Sequence, residues 1–138
     1  MDFNRDFKFD LQLGQIGESF IAKLLRDKTI EVKFDFGTHR TGNFYIEYES
    51  RGRASGIATT QATYWILIAA SETGCRLKNN ISELEQEDIL YAVMIETERL
   101  KRLCRTSYYR MGVPGGDNNT SIGVLIKSNV LLNDVRRK

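Results

Sequence analysis

This sequence is poor in the residues that usually mark a site. Its 138 residues include one histidine, one proline and two cysteines. Cys75 and Cys104 are too few for a disulfide framework and have no metal-ligand spacing. They read as reduced thiols of a cytoplasmic protein. His39 is the only imidazole, and it reads as a loop residue before it reads as a base. No apolar run approaches the roughly 18 residues that a membrane span needs, and the longest, Tyr64 to Ala70, is strand-sized. Charge of one sign is not in excess. The net charge is +2, so any nucleic-acid binding must come from local basic patches rather than a global field. There is no internal repeat and no interdomain linker. One domain over 1–138 is expected, with 1–11 a charged polar arm rather than a signal peptide and 135–138 a frayed tail.

Against that plain background, the stretch from Thr29 to Glu49 is distinctive. Ile30, Val32 and Phe34 alternate with Glu31, Lys33 and Asp35, and Phe44, Ile46 and Tyr48 alternate with Tyr45, Glu47 and Glu49. Alternation of this kind predicts two strands, each with an apolar and a polar face. Gly37, Thr41, Gly42 and Asn43 supply turn chemistry between them, so a hairpin is expected. Its polar face would carry Glu31, Asp35, Glu47 and Glu49 with Lys33. Like charges on paired strands repel. The cluster is either a solvated sheet face or a site for a hard cation, whose charge would relieve that repulsion.

The rest of the chain reads in order. Leu13, Ile16, Phe20, Ile21, Leu24 and Leu25 recur at helical spacing, so a helix is expected over 13–26, with Glu18 on it. Gly14 and Gly17 weaken that helix by about 1 kcal/mol each relative to Ala, which suggests a close approach there. After the hairpin, Arg51 and Arg53 flank Gly52. Thr59 or Thr60 is expected to cap a short helix over 61–63, whose N–H groups beside two arginines would suit a phosphate. Tyr64–Ala70 and Ile89–Ile95 read as buried strands, with Trp65 in the core. Residues 71–88 read as a loop with one helical turn. Thr97 is expected to cap a helix with Leu100, Leu103 and Cys104 inward and Arg99, Lys101, Arg102 and Arg105 outward. A short strand over 107–111, a turn over 113–121, a strand over 122–126 and a terminal helix over 128–134 complete an α/β domain with a mixed sheet flanked by helices.

The segments GE at Gly17-Glu18, EVKFD, TGNFYIEYE, SGIATTQATYW and GGDNNTS together resemble a phage and bacterial group within the PD-(D/E)XK nuclease superfamily. The resemblance runs from about Leu13 to Leu132. It implies a restriction-endonuclease-like core and a metal-dependent DNA endonuclease that hydrolyses phosphodiester bonds in phage or bacterial DNA processing. Asp35 and Glu47 would hold Mg²⁺ (or Mn²⁺), with Glu18 through water. Lys33 or Glu49 would position or deprotonate the attacking water. The superfamily pattern has a lysine where Glu49 stands, so Lys33, on the carboxylate face, is the substitute. Reading Glu31-Val32-Lys33 as the acid-x-Lys element is the competing assignment. DNA contacts would come from Arg40, Asn43, Arg51, Arg53, Ser55, Thr60 and Gln61, with His39 a secondary candidate. The resemblance admits a homodimer. Glu49 also leaves room for a catalytically silent nuclease fold that binds DNA or protein.

Overall fold

The structure is a computed structural model and describes residues 3–106 and 112–136. The strand expected over 107–111 lies outside the described residues. Among the described residues, five α-helices and seven strands follow the order α1 (Phe3–Leu25), β1 (Ile30–Asp35), α2 (Thr38–Thr41), β2 (Asn43–Ser50), β3 (Arg53–Ala54), β4 (Tyr64–Ala70), α3 (Glu72–Arg76), β5 (Ile89–Glu96), α4 (Thr97–Thr106), β6 (Val113–Gly115), β7 (Ser121–Lys127) and α5 (Ser128–Arg136). The chain is mixed α/β, as its alternation and helical spacing imply.

The two strands of the 29–49 stretch form where expected, but they do not pair with each other. β1 joins β4 in parallel, and β5 runs antiparallel to β4, giving a mixed sheet of order β1-β4-β5. β2 belongs to a second, antiparallel sheet of order β3-β2-β7-β6. The reason lies in the connection. Thr38–Thr41 winds into a helical turn that ends on Gly42 at φ 72°, a left-handed conformation glycine adopts without a Cβ penalty. A turn of helix carries the chain from one sheet to the other instead of reversing it within one. β2 forms its hairpin with β3 instead, closed by Arg51 and Gly52, both at positive φ.

Both sheets share one core. Phe44 and Ile46 from β2, Trp65 and Leu67 from β4, Val93 and Ile95 from β5, and Val124 and Ile126 from β7 are buried together, with Leu100 and Cys104 of α4 and Leu131 of α5. Phe44 meets Tyr91 edge-on across the sheets at 6.1 Å. Thr97 opens α4, but its hydroxyl donates to the Ala62 carbonyl at 2.6 Å rather than capping the helix. The helix expected over 61–63 is absent. Gly56–Ala58 forms a 3-10 turn instead, and Thr60 Oγ1 is engaged by Ala62 N–H and the Trp65 indole.

Two departures bear on function. The expected polar arm is helical, so α1 begins at Phe3 rather than Leu13. And the faces of β1 are reversed relative to a simple amphipathic strand. Lys33 and Asp35 align with Leu67 and Ala69 on the core side, while Val32 and Phe34 point out, 54% and 36% exposed.

Candidate active site

The inward charged face of β1 ends in an open pocket of about 360 Å³ between the sheets. Its polar lining comes from Lys33 and Asp35 of β1, Tyr45 and Glu47 of β2, Ser121 of β7 and Lys78 after α3. Asp35 is the most constrained of these. Oδ1 accepts from Gly37 N–H at 2.7 Å and Thr38 N–H at 3.0 Å, and Oδ2 accepts from Tyr45 N–H at 2.9 Å. The carboxylate therefore caps the α2 turn and clasps β1 to β2. It uses three of roughly four lone-pair sites in doing so.

Glu47 is held more lightly. Ser55 Oγ donates to its Oε2 at 2.9 Å. Gly56, at φ +52°, lies so close under the Glu47 carbonyl that a Cβ would collide with it. The Ser55-Gly56 pair thus buttresses Glu47 from below. Lys33 Nζ sits 2.7 Å from Glu31 Oε1 and 5.7 Å from the centre of the Trp65 ring, so a carboxylate and a π-face both orient it. Tyr45 runs along the pocket wall, with its hydroxyl 2.9 Å from Ser121 Oγ and 3.3 Å from the Val113 carbonyl. Gly115 and Gly123 leave the space its ring fills. Burial raises the Tyr45 phenol above its ordinary value of 10.0, against a lowering by the Ser121 bond.

Not every expected residue is brought here. Between Glu47, opposite Gly123, and Glu49, opposite Ile122, β2 bulges at Tyr48. Consecutive partners on β7 point to opposite faces, so the bulge separates the two acids. Glu47 faces the pocket with Tyr45; Glu49 turns to the side of Ile122 and does not line it. Glu31 serves Lys33 from outside the lining. Glu18 is exposed on α1 and is not part of the pocket. Among the described residues, no group of three His, Cys, Asp or Glu side chains could hold a metal. The donors that the pocket does offer, Asp35 and Glu47, match the one or two carboxylates that Mg²⁺ typically takes beside water and phosphate oxygens.

The basic candidates scatter. His39 and Arg40 line a second pocket of about 560 Å³ with Glu72, Arg76 and Lys78. It shares Phe36, Gly37 and Lys78 with the first pocket, so the two adjoin. Asn43 opens β2, its backbone N–H bonded to Thr41 Oγ1. Arg51 holds the β2–β3 turn, with its backbone N–H on the Thr120 carbonyl, and Arg53 follows. Thr60 Oγ1 accepts from the Trp65 indole, the Gln61 backbone carbonyl accepts from the Thr29 hydroxyl, and the Gln61 side chain is exposed. Lys78, Arg76, Tyr45 and Ser121 carried no signal as site residues. Lys78 and Arg76 lie in a polar segment without periodicity, Tyr45 alternates as any strand residue would, and Ser121 falls at the end of the expected turn. Comparison with protein-family models, curated proteins and solved structures finds no match for this chain. Among the described residues, no helix is long and apolar enough to cross a membrane.

Proposed function

We propose that the chain is a metal-dependent DNA endonuclease of phage or bacterial DNA processing. The observation that carries this reading is the meeting of Asp35, Glu47 and Lys33 in one open pocket. Two carboxylates from different sheets and a lysine are the groups that phosphodiester hydrolysis asks for. Asp35 and Glu47 would hold Mg²⁺. When bound, the ion lowers the pKa of a bound water and stabilises charge on the scissile phosphate. Asp35 brings a carboxylate fixed by three N–H donors, and Glu47 one steadied by Ser55. Lys33 orients the attacking water or a phosphate oxygen, in place of the lysine expected at position 49. Arg40, Arg76 and Lys78, with His39, line the adjoining second pocket, where a neighbouring phosphate would run. Such contacts are independent of sequence and weaken with salt. The two thiols suit a reducing, cytoplasmic setting.

A second reading is a silent nuclease fold that binds DNA or protein. One observation favours it: the Asp35 oxygens are already occupied by backbone donors, as a purely structural carboxylate would be. Incubation with linear, supercoiled, flapped and four-way DNA, with Mg²⁺ or Mn²⁺, separates the two. Cleavage that EDTA abolishes and Glu47→Gln removes supports the endonuclease. DNA binding without cleavage, and a Tm indifferent to Mg²⁺, supports the silent fold, since a cation that binds only the native state must raise Tm.

A further inference from the structure

The 23-residue helix α1 is about 35 Å long, and every residue from Phe7 to Lys23 is exposed. Phe9, Leu13, Ile16 and Phe20 form one apolar stripe, each 52–66% exposed. Phe7 and Leu11 form a second, about 170° away at roughly 100° per residue, with Ile21 on the side between the two stripes, and all three are 45–61% exposed. A Cβ added to Gly14 or Gly17 would meet nothing within 4 Å, so the middle of the helix stands clear of the body. A helix with two opposite apolar stripes is built to be covered on two sides.

A matching surface is open on the body. The outer face of the β1-β4-β5 sheet carries Ile30, Val32, Phe34, Ile66, Ile68 and Met94 in register, and none of them is buried. An apolar sheet face normally packs against a helix. The chain's own α1 is held off it. Thr29 fixes the strand end through its carbonyl, which accepts from Thr63 and Tyr64 N–H at 2.9 and 3.2 Å. Lys28 N–H closes onto Leu25 at 3.1 Å, with Asp27 at φ 58° in the left-handed region. Folding α1 back would break this turn, whereas receiving a helix from elsewhere would not.

We propose that the occupant is a second copy of this chain. Two chains exchange α1, each laying one stripe on the partner's outer sheet face, and the second stripes meet between the two helices. Helix side chains of this kind present on the order of 700 Å² of apolar area, at about 150–250 Å² for each aromatic. The area is split between two sides of the helix, so no one partner surface within the chain could cover it all. Doubled by symmetry, it reaches the ~1,200–2,000 Å² of a standard stable interface. This inference stands apart from the nuclease reading, because none of its residues except Phe34 lines the pocket.

Light scattering on the full chain tests it. The expected mass is twice 15.8 kDa, falling to one chain for Ile16→Asp with Phe20→Asp, which are exposed positions whose change leaves the core intact. A single-chain mass for the unaltered protein would overturn the proposal, as would a dimer that both aspartates leave unchanged. Oxidation of an Ile16→Cys, Val32→Cys, Cys75→Ser chain then fixes the arrangement. A disulfide between two chains is expected. A closed single chain, or no bridge at all, would refute the exchange.

Discussion

Replacing Asp35 by Asn tests the balance between its two roles. The carboxylate accepts three backbone N–H bonds at 2.7–3.0 Å. An amide offers one oxygen. If that oxygen stays with Gly37 and Thr38, the NH₂ group faces the Tyr45 N–H, donor against donor. One bond is lost outright, and a part-buried N–H is left unpaired, at about 1–3 kcal/mol. The other two fall from charge-assisted to neutral strength, roughly half. The expected cost is about 2–4 kcal/mol, a large share of a typical ~5–15 kcal/mol domain stability. Glu47→Gln keeps an oxygen for Ser55 Oγ and should cost less than about 1 kcal/mol. Urea titrations followed by circular dichroism compare the two directly. If Asp35→Asn stays within about 0.5 kcal/mol of the unaltered chain, the clasp between β1 and β2 does not stabilise the fold. If Glu47→Gln is as damaging, Glu47 is a structural residue too. The contrast also decides which variant reports on chemistry: activity lost with Glu47→Gln speaks for the site, while activity lost with Asp35→Asn mixes site and fold.

Gly56→Ala should destabilise by more than about 2 kcal/mol, because the new Cβ meets the Glu47 carbonyl and the backbone is left-handed; thermal melts would show it, and a neutral result would refute the buttress. At pH 8 a thiol reagent should modify half-buried Cys75 first and spare Cys104, whose thiol burial pushes up to about 11; equal labelling rates in the native protein would contradict that burial. Tyr45 keeps its proton in the folded protein at a pH where the unfolded chain begins to lose it. Its contribution is therefore complete below about pH 10 and declines as pH rises through the raised folded value, so Tyr45→Phe should flatten the alkaline loss of stability in denaturant titrations across that range.

Much of the architecture was legible because strand alternation and helical spacing are local. β1, β2, β4, β5, β7, α4 and α5 fall close to where their side-chain patterns put them. Partnership is not local. Alternation says that Ile30, Val32 and Phe34 share a face, but not that this face looks outward while Lys33 and Asp35 look in. The hairpin expectation failed for the same reason, since nothing in Phe36–Gly42 distinguishes a reversing loop from a helical turn that changes sheets. Residues 3–10, FKFD included, read as part of a charged polar arm, yet they open α1. Asp35, Glu47 and Lys33 line one pocket although the hairpin expected to carry them does not form, Glu49 lies outside that lining, and Lys78 emerges only from the folded chain.

The bulge at Tyr48 also makes the length of β2 negotiable at one place. Removing a residue elsewhere in the strand would turn every side chain beyond it to the wrong side. At Tyr48 the ladder already counts one residue too many: Glu47 and Glu49 sit opposite neighbouring residues of β7. A chain shortened there would keep Glu47 facing Gly123 and Glu49 facing Ile122. It would surrender the Tyr48 packing and the carbonyl that receives Ser55 N–H at 3.0 Å. Chains that build the same pocket can therefore space their acids differently by one residue, and an ungapped comparison of strands would set Glu49 against the wrong partner.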